Sequence, residues 1–254
     1  MHPWSDVSKD RVAWYHQEEC EKVDTSSFYL QFLNFWSNFA YLAAGLLIVW
    51  LSTSGVGRAI GIVLIVLAVG SGWFHGTLTE FGQTFDMVGV YCALTAMIAF
   101  GFIELIPLEQ DGLAAWLLFA GASILGVVAG ILRAKVRFFD SDYFTPLLVG
   151  LLVFYMVMVY LRYKEAKDSL LWPTVAFAGS GLLALIFKFT DGDKNLLAPH
   201  GGVFAKCTYD PTSPIQGHAL WHVLFAVMFV CIFEFIRSMQ SRSESVWPWR
   251  LSDS

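Results

Sequence analysis

The sequence predicts an all-α membrane protein, a seven-transmembrane helix bundle, and three observations support this fold class. Hydrophobic residues make up 56% of the 254 positions and charged residues only 15%, a balance that soluble domains of this length do not show. Apolar runs recur at close to the ~20 residues that a helix needs to cross a bilayer. Aromatic residues, 16% of the chain, suit the belts at the two membrane interfaces.

Seven apolar segments are long enough to span a membrane. They are too long and too uniform for a transmembrane barrel, and no polar insertion recurs half a chain later, as it would in many transporters. The second segment is almost unbroken from Ala59 to Val69, and Pro146 and Pro173 fall in the first turns of the fifth and sixth, where proline is tolerated. The predicted spans are residues 30–52, 58–77, 83–104, 113–133, 143–163, 170–190 and 215–237.

The spans divide the chain into three parts. Residues 1–29 form an N-terminal extramembrane segment, residues 30–237 the seven-helix domain, and residues 238–254 a C-terminal tail. The first part holds six acidic residues and no long apolar run, so it does not resemble a cleaved signal peptide. We expect the first helix to act as an uncleaved anchor.

Polar side chains interrupt the apolar pattern where the second span ends and the third begins. Ser71 and His75 are four residues apart and therefore share a helix face. Asp86 opens the third span, across a predicted tight turn that contains Gly82. An ionisable residue in a membrane span is costly and is therefore a candidate functional residue.

Two further histidines, His218 and His222, repeat the four-residue spacing in the first turns of the seventh span. With seven spans, the second and sixth loops lie on the same side of the membrane as the N-terminus. His75, Asp86, His218 and His222 are therefore expected at one membrane face. Three histidines brought together in this way predict a three-ligand metal site with an open fourth position.

The predicted chemistry is that of a hydrolytic zinc held by His75, His218 and His222. Three neutral imidazoles leave the charge of the zinc ion intact, which lowers the pKa of a bound water towards ~7. Asp86 would act as general base and then general acid, and Ser71 would donate a hydrogen bond to the developing oxyanion. A site among apolar helices suits a lipid carbonyl, either amide or ester.

Each of these residues also has a purely structural interpretation. A histidine in an apolar helix can be a packing residue with its hydrogen bonds satisfied. Asp86 could cap the N-terminus of its helix, where acidic side chains are favoured, and Ser71 could serve close helix packing.

The net charge argues against binding to nucleic acid, and a missing lysine argues against a retinal protein. A net charge of -5 and a pI near 5.6, without a basic stripe, argue against binding to nucleic acid. A retinal protein needs a lysine in the seventh helix, and residues 215–237 contain none. A seven-helix lipid-sensing receptor with little or no turnover would keep the same ligands and stays as the alternative.

The orientation in the membrane is predicted from charge and cysteine. Nine Lys and Arg lie on the N-terminal side and seven on the other, but those seven sit in short connections, which the positive-inside rule weights more. Cys20 and Cys207 are the two cysteines outside the apolar runs, both on the N-terminal side. A disulfide between them would make that side periplasmic or lumenal, whereas two unpaired thiols fit the sequence equally well.

Three motifs resemble the alkaline ceramidase family, seven-helix membrane hydrolases related to the progestin and adiponectin receptors. They are the run Phe32-Leu33-Asn34-Phe35-Trp36-Ser37-Asn38, the pattern from Ser71 through His75 to Asp86, and His218-Ala219-Leu220-Trp221-His222. The resemblance implies hydrolysis of the amide of ceramide or a related N-acyl lipid. It also implies zinc on the three histidines, with proton transfer by Asp86 and oxyanion stabilisation by Ser71.

The resemblance further implies a disulfide between Cys20 and Cys207 and a calcium site ahead of the first helix. The family's Asp-Trp-Cys-Glu-x-Asn run is here Glu18-Glu19-Cys20-Glu21-Lys22-Val23, and a later Glu of the family is here Asn34. Glu18, Glu19 and Glu21 could still form an oxygen cage for a hard cation. A solvated acidic segment is the alternative.

Overall fold

Helices make up most of the part of the chain that the computed structural model describes. That part comprises residues 21, 24, 27–105, 108–109, 111–135, 148–155, 157, 167–190 and 214–246. The helices are α1 (Phe32–Ser37), α2 (Phe39–Leu51), α3 (Gly55–Thr77), α4 (Glu80–Leu105), α5 (Leu113–Lys135), α6 (Lys167–Thr190) and α7 (Gly217–Val246). Residues 148–155 and 157 are also helical.

Five helical spans in the described residues are long and apolar enough to cross a membrane, if α1 and α2 are counted together. They are Phe32–Leu51, Gly55–Thr77, Glu80–Ile103, Leu113–Lys135 and Gly217–Ser238, and Leu171–Phe187 is a shorter apolar helix. The predicted span 143–163 is described only at residues 148–155 and 157, which are helical. The predicted fold class, a helical membrane bundle, is confirmed.

The first span differs from the prediction because it is two helices joined at Asn38. In a continuous helix the carbonyl of Asn34 would accept the backbone N–H of Asn38. Here that carbonyl accepts the Asn38 side-chain Nδ2 at 2.7 Å and the Ser37 hydroxyl at 2.8 Å, while the Asn38 N–H turns to the carbonyl of Phe35 at 3.3 Å. Side chains that compete for backbone groups therefore break the helix at this point.

The turn between α3 and α4 also lies elsewhere than predicted. Leu78 takes the left-handed conformation, with φ 51°, and ends α3, while Thr79 caps α4 by accepting the Gly82 N–H at 3.1 Å. Gly82 thus lies in the first turn of α4, where an added Cβ would come within 2.9 Å of the Phe74 Cα. The glycine serves close packing of two helices and not the turn.

The start of α4 at Glu80 decides whether Asp86 caps this helix. Because Thr79 provides the cap, Asp86 lies beyond the first turn of α4 and is not its N-terminal cap.

The sixth predicted span also begins earlier than expected, at Lys167, so Pro173 lies inside α6 and beyond its first turn.

Helix contacts bring one end of the bundle together around α1. This helix packs against both α3 and α7, α2 packs against the same two helices, and α3 also packs against α4. The α2–α3 contact is close because Gly45 and Gly61 face each other, and a Cβ added to either one would lie only 2.6 Å from the carbonyl oxygen of the other. The end of α3 and the starts of α1, α4 and α7 are therefore neighbours.

Candidate metal centre

Three buried histidines meet where α3 ends and α7 begins. His75 lies in the last turn of α3, and His218 and His222 lie one turn apart at the start of α7. Their ring centroids are 5.0, 5.0 and 4.6 Å apart, and one nitrogen of each ring lies within 4.8 Å of the other two. The structure thus brings together the three histidines that the sequence singled out as ligands.

Gln31 fixes the orientation and the tautomer of His75. Its side-chain Oε1 lies 2.7 Å from His75 Nδ1, and an amide oxygen can only accept, so Nδ1 carries a proton and Nε2 is the nitrogen that would bind a metal. The backbone N–H of Gln31 also donates to the His75 carbonyl at 3.1 Å, and that of Leu30 to the Gly76 carbonyl at 3.2 Å. Leu30 and Gln31 therefore donate hydrogen bonds to two carbonyls at the end of α3, and Gln31 also holds the His75 imidazole in place.

Ser37 plays the corresponding part for His222. Its Oγ lies 2.7 Å from His222 Nδ1, and its single proton is donated to the Asn34 carbonyl at 2.8 Å. The hydroxyl oxygen must then accept from Nδ1–H, so Nε2 is again the nitrogen that would bind a metal. Ligand histidines in proteins are commonly held by such partners, which set the tautomer and raise the basicity of the ligating nitrogen.

The donor set fits zinc. In two of the rings Nδ1 makes a hydrogen bond, so Nε2 is the nitrogen that would bind a metal; all three side chains are buried, and the three could share one ion. Imidazole nitrogen is a preferred ligand of zinc, and a three-histidine set leaves a coordination position open. No carboxylate or thiolate belongs to this cluster among the described residues.

Asp86 lies in α4, the helix that follows His75. Tyr41 of α2 lies beside the histidine cluster, with its ring 5.6 Å from the ring of His222. Both Asp86 and Tyr41 are buried. The structure thus places this acid inside the bundle rather than on its surface.

Ser71 precedes His75 by one turn of α3 and is only 1% exposed. Its hydroxyl makes no hydrogen bond to any residue in the described part of the chain. Most buried hydroxyls are hydrogen-bonded in native proteins, so one that is not calls for a physical explanation. A ligand that accepts a hydrogen bond here would supply it.

Glu21 is the one predicted calcium ligand that lies within the described residues. It is buried, and its Oε1 and Oε2 accept the backbone N–H groups of Leu33 at 2.6 Å and Asn34 at 2.9 Å. Glu21 therefore caps the N-terminus of α1, where a negative charge is favoured. Glu18, Glu19, Cys20 and Cys207 lie outside the described residues, so the calcium site and the disulfide stay predictions.

Sequence reasoning gave no role to Gln31, Ser37 or Tyr41. Gln31 lies 44 positions from His75 and Ser37 lies 185 positions from His222, so no local pattern joins either pair. The available signal was the set of polar residues at the start of the first apolar span. Such residues usually hydrogen-bond to another helix when they lie within a membrane.

The fold and the site together define a helical integral membrane protein with a buried three-histidine centre suited to a metal ion. The sequence profile of the Ceramidase family matches residues 19–252, which is most of the chain. The protein therefore belongs to the Ceramidase family, as the motifs indicated. A comparison with curated protein sequences finds no significant match. Membership of the family supports a ceramide-hydrolysing enzyme, an amidohydrolase with a lipid substrate.

Proposed function

We propose that this protein is a zinc-dependent intramembrane hydrolase that cleaves the amide bond of ceramide or a related N-acyl lipid. The products would be a sphingoid base, or another amine, and a free fatty acid. The observation that carries the proposal is the buried cluster of His75, His218 and His222, in which Gln31 and Ser37 hold Nδ1 of His75 and of His222. The family membership supports the reaction class.

The zinc ion, bound to these three histidines, would supply a Lewis acid for the amide carbonyl and a water of lowered pKa. Asp86 is the proton carrier in this proposal. It takes a proton from the attacking water as the new C–O bond forms, and returns one to the amide nitrogen as the C–N bond breaks. All protons are accounted for, because the acyl part of the lipid becomes a carboxylic acid and its nitrogen becomes an amine.

Ser71 donates a hydrogen bond to the carbonyl oxygen as negative charge develops there. Its buried hydroxyl has no partner among the described residues, which suits a donor kept for the substrate. Such a donor is effective when it is already positioned and shielded from water, because it need not be reoriented during the reaction. The burial of Ser71 supports this role.

The remaining parts of the proposal concern the N-terminal side of the membrane. We place the N-terminus and the site on the periplasmic or lumenal side, with a disulfide between Cys20 and Cys207. A calcium ion on Glu18, Glu19 and Glu21 is a further element of this proposal. Glu21 would then serve the ion and α1 together, since a carboxylate can accept more bonds than the two seen here.

A lipid-sensing receptor with little or no turnover was the alternative from sequence. The family assignment favours the hydrolase. The two also differ in a measurable way, because a receptor would bind the lipid and leave it intact.

The test is hydrolysis by purified protein of a panel of N-acyl lipids, with both products measured by mass spectrometry. Ceramides of several acyl lengths, an N-acyl amino acid and an ester of the same chain length would make up the panel. We expect the fatty acid and the amine in equal amounts, loss of both with a chelator, and recovery on adding zinc. Binding without products across the panel would contradict the proposal and favour the receptor.

A further inference from the structure

Two buried hydroxyl groups have no hydrogen-bond partner among the residues that the structure describes. They belong to Ser71 and Tyr41, and neither side chain is more than 1% exposed. The hydroxyl of a buried tyrosine usually finds a partner, because an unpaired polar group inside a protein lowers its stability. If Tyr41 served only to fill space, phenylalanine would do so without that cost. The Tyr41 hydroxyl therefore calls for a hydrogen-bond partner that the described residues do not provide.

Tyr41 lies on the inward face of α2. The buried residues of this helix follow one another at helical spacing and form one stripe, which consists of Tyr41, Ala44, Gly45 and Ile48. The stripe faces α3 and α7, the two helices against which α2 packs. Tyr41 is the member of the stripe nearest the start of α2, which is the end of the bundle that holds the histidines.

The two hydroxyl groups lie at the same depth in the bundle. A Cβ added at Gly72 would lie 4.0 Å from the Asn38 Cβ, and one added at Gly45 would lie 2.6 Å from the Gly61 carbonyl oxygen. These contacts show that α2 and α3 run antiparallel. Tyr41 comes three residues after Asn38, so it is level with the turn of α3 that precedes Gly72. The serine belongs to that turn.

Both side chains also lie beside the histidine centre. Ser71 precedes His75 by one turn of α3, and the Tyr41 ring lies 5.6 Å from the ring of His222. The rings of His75 and His222 are themselves 5.0 Å apart. Each hydroxyl therefore belongs to a residue next to one of two neighbouring histidines, and both come from the inner side of the bundle.

We propose that the Tyr41 hydroxyl donates a hydrogen bond to the carbonyl oxygen of the amide that is cleaved, as a second donor beside Ser71. The inference rests on the proposed hydrolysis and adds a catalytic residue to it. A carbonyl oxygen has two lone pairs and can accept from both hydroxyls. Tyrosine is among the side chains that stabilise developing oxyanions, and it keeps its proton while doing so.

The test compares Tyr41→Phe with the wild type in lipid nanodiscs. Phenylalanine keeps the ring that lies against His222 and removes only the hydroxyl. The measurements are kcat and KM for one N-acyl lipid, the zinc content and the midpoint of thermal unfolding. Tyr29→Phe is the matched control, because Tyr29 lies at the same end of the bundle but is partly exposed, and its ring stacks on Phe35 with the centroids 3.8 Å apart.

We expect Tyr41→Phe to lower kcat by about 100-fold or more with little change in KM, the usual effect of removing one donor to an oxyanion. The zinc content should stay at the wild-type level. The midpoint of unfolding should stay the same or rise, because the variant removes a buried hydroxyl that has no partner in the described protein. Tyr29→Phe should behave as the wild type in all four measurements.

Two unreactive lipids separate the carbonyl oxygen from the rest of the substrate. In the first, a phosphinate replaces the amide and presents charged oxygens in tetrahedral geometry. In the second, a methylene replaces the carbonyl, which leaves a secondary amine without that oxygen. Tyr41→Phe should weaken inhibition by the phosphinate by about tenfold or more, because this lipid resembles the transition state. Inhibition by the amine should stay within about twofold of the wild type.

Several results would overturn the inference. One is wild-type kcat in Tyr41→Phe, whether or not the midpoint of unfolding falls or KM rises. Others are a fall in kcat together with loss of zinc, which would mean that Tyr41 acts through the metal, and equal weakening of both inhibitors. In each of these cases the wild type still hydrolyses the lipid, so the proposed function stands. If the wild type hydrolyses no N-acyl lipid at all, the proposed function fails and the role of Tyr41 fails with it.

Discussion

Gln31 accepts a hydrogen bond from His75 Nδ1 at 2.7 Å, across 44 positions of sequence. The same residue donates its backbone N–H to the carbonyl of His75 at 3.1 Å. One residue of the α1 entry therefore holds both the ring and the backbone of a candidate zinc ligand. The orientation of the ligand depends on α1 as much as on α3.

Replacing Gln31 with leucine should weaken zinc binding by about 10- to 100-fold, the usual cost of losing a partner of a ligand histidine. The backbone bonds of residue 31 would remain, so the end of α3 should stay in place. Zinc affinity is measured by competition with a chromophoric chelator. Gln31→Glu, which keeps an acceptor oxygen, should recover most of the affinity, and equal affinity in all three proteins would contradict the role.

The histidine centre should hold one zinc per chain. His75→Ala, His218→Ala and His222→Ala should each lose the metal and the activity together, because each removes one of three ligands. Elemental analysis of protein purified in detergent provides the measurement. A folded and active wild type without metal would refute the zinc proposal.

Asp86→Asn should keep the zinc and the fold but reduce turnover by about two to four orders of magnitude, the usual worth of general acid and base transfer. The matched control is Asp111→Asn. Asp111 accepts the N–H of Gly55 at 2.6 Å at the start of α3, and an amide oxygen can still accept there. Zinc content and kcat are measured for both.

Loss of zinc from Asp86→Asn as complete as in the histidine variants would make Asp86 a ligand or the partner of one. The proton carrier would then have to be another group, and Glu21, the buried acid that caps α1, is the next candidate. Turnover close to that of the wild type would remove Asp86 from the mechanism altogether.

Ser71→Ala should lower kcat by about 100- to 1,000-fold with little change in KM, because a donor to the oxyanion acts mainly in the transition state. Ser123→Ala is the control, since the Ser123 hydroxyl donates to the Phe119 carbonyl within α5. Steady-state kinetics on one N-acyl lipid separates the two constants. A rise in KM with kcat unchanged would show that Ser71 serves ground-state binding instead.

Cys20 and Cys207 should be joined by a disulfide in protein taken from its native membrane. Non-reducing peptide mapping would detect the linked peptide, and the buried Cys92 serves as an internal reference for a free thiol. Finding both cysteines free would remove the main support for a periplasmic or lumenal N-terminus.

The helices could be predicted because long apolar runs form few structures other than membrane-spanning helices. The break at Asn38 could not, because it depends on two side chains competing for the carbonyl of Asn34. The turn at Leu78 was also out of reach, since a left-handed backbone favours glycine and Gly82 is nearby. Packing decided otherwise, because Leu78 is buried and Gly82 is needed where α4 touches α3.

The three histidines could be predicted for two reasons. The four-residue spacing puts His218 and His222 on one helix face, and the number of spans puts them on the same side of the membrane as His75. Their partners could not. Gln31 and Ser37 are ordinary polar residues in sequence, and only the packing of α1 between α3 and α7 gives them a role.

The cap that Glu21 places on α1 has a consequence for anyone shortening this protein. Helices of fewer than about 12 residues are marginal on their own, and α1 has six, so its order comes from its neighbours and from the two bonds to Glu21. This short helix begins next to Gln31 and ends at Ser37. Trimming the chain beyond residue 21, or fusing a bulky tag there, would therefore weaken the contacts that Gln31 and Ser37 make with His75 and His222. This would happen although the removed residues lie outside the apolar spans.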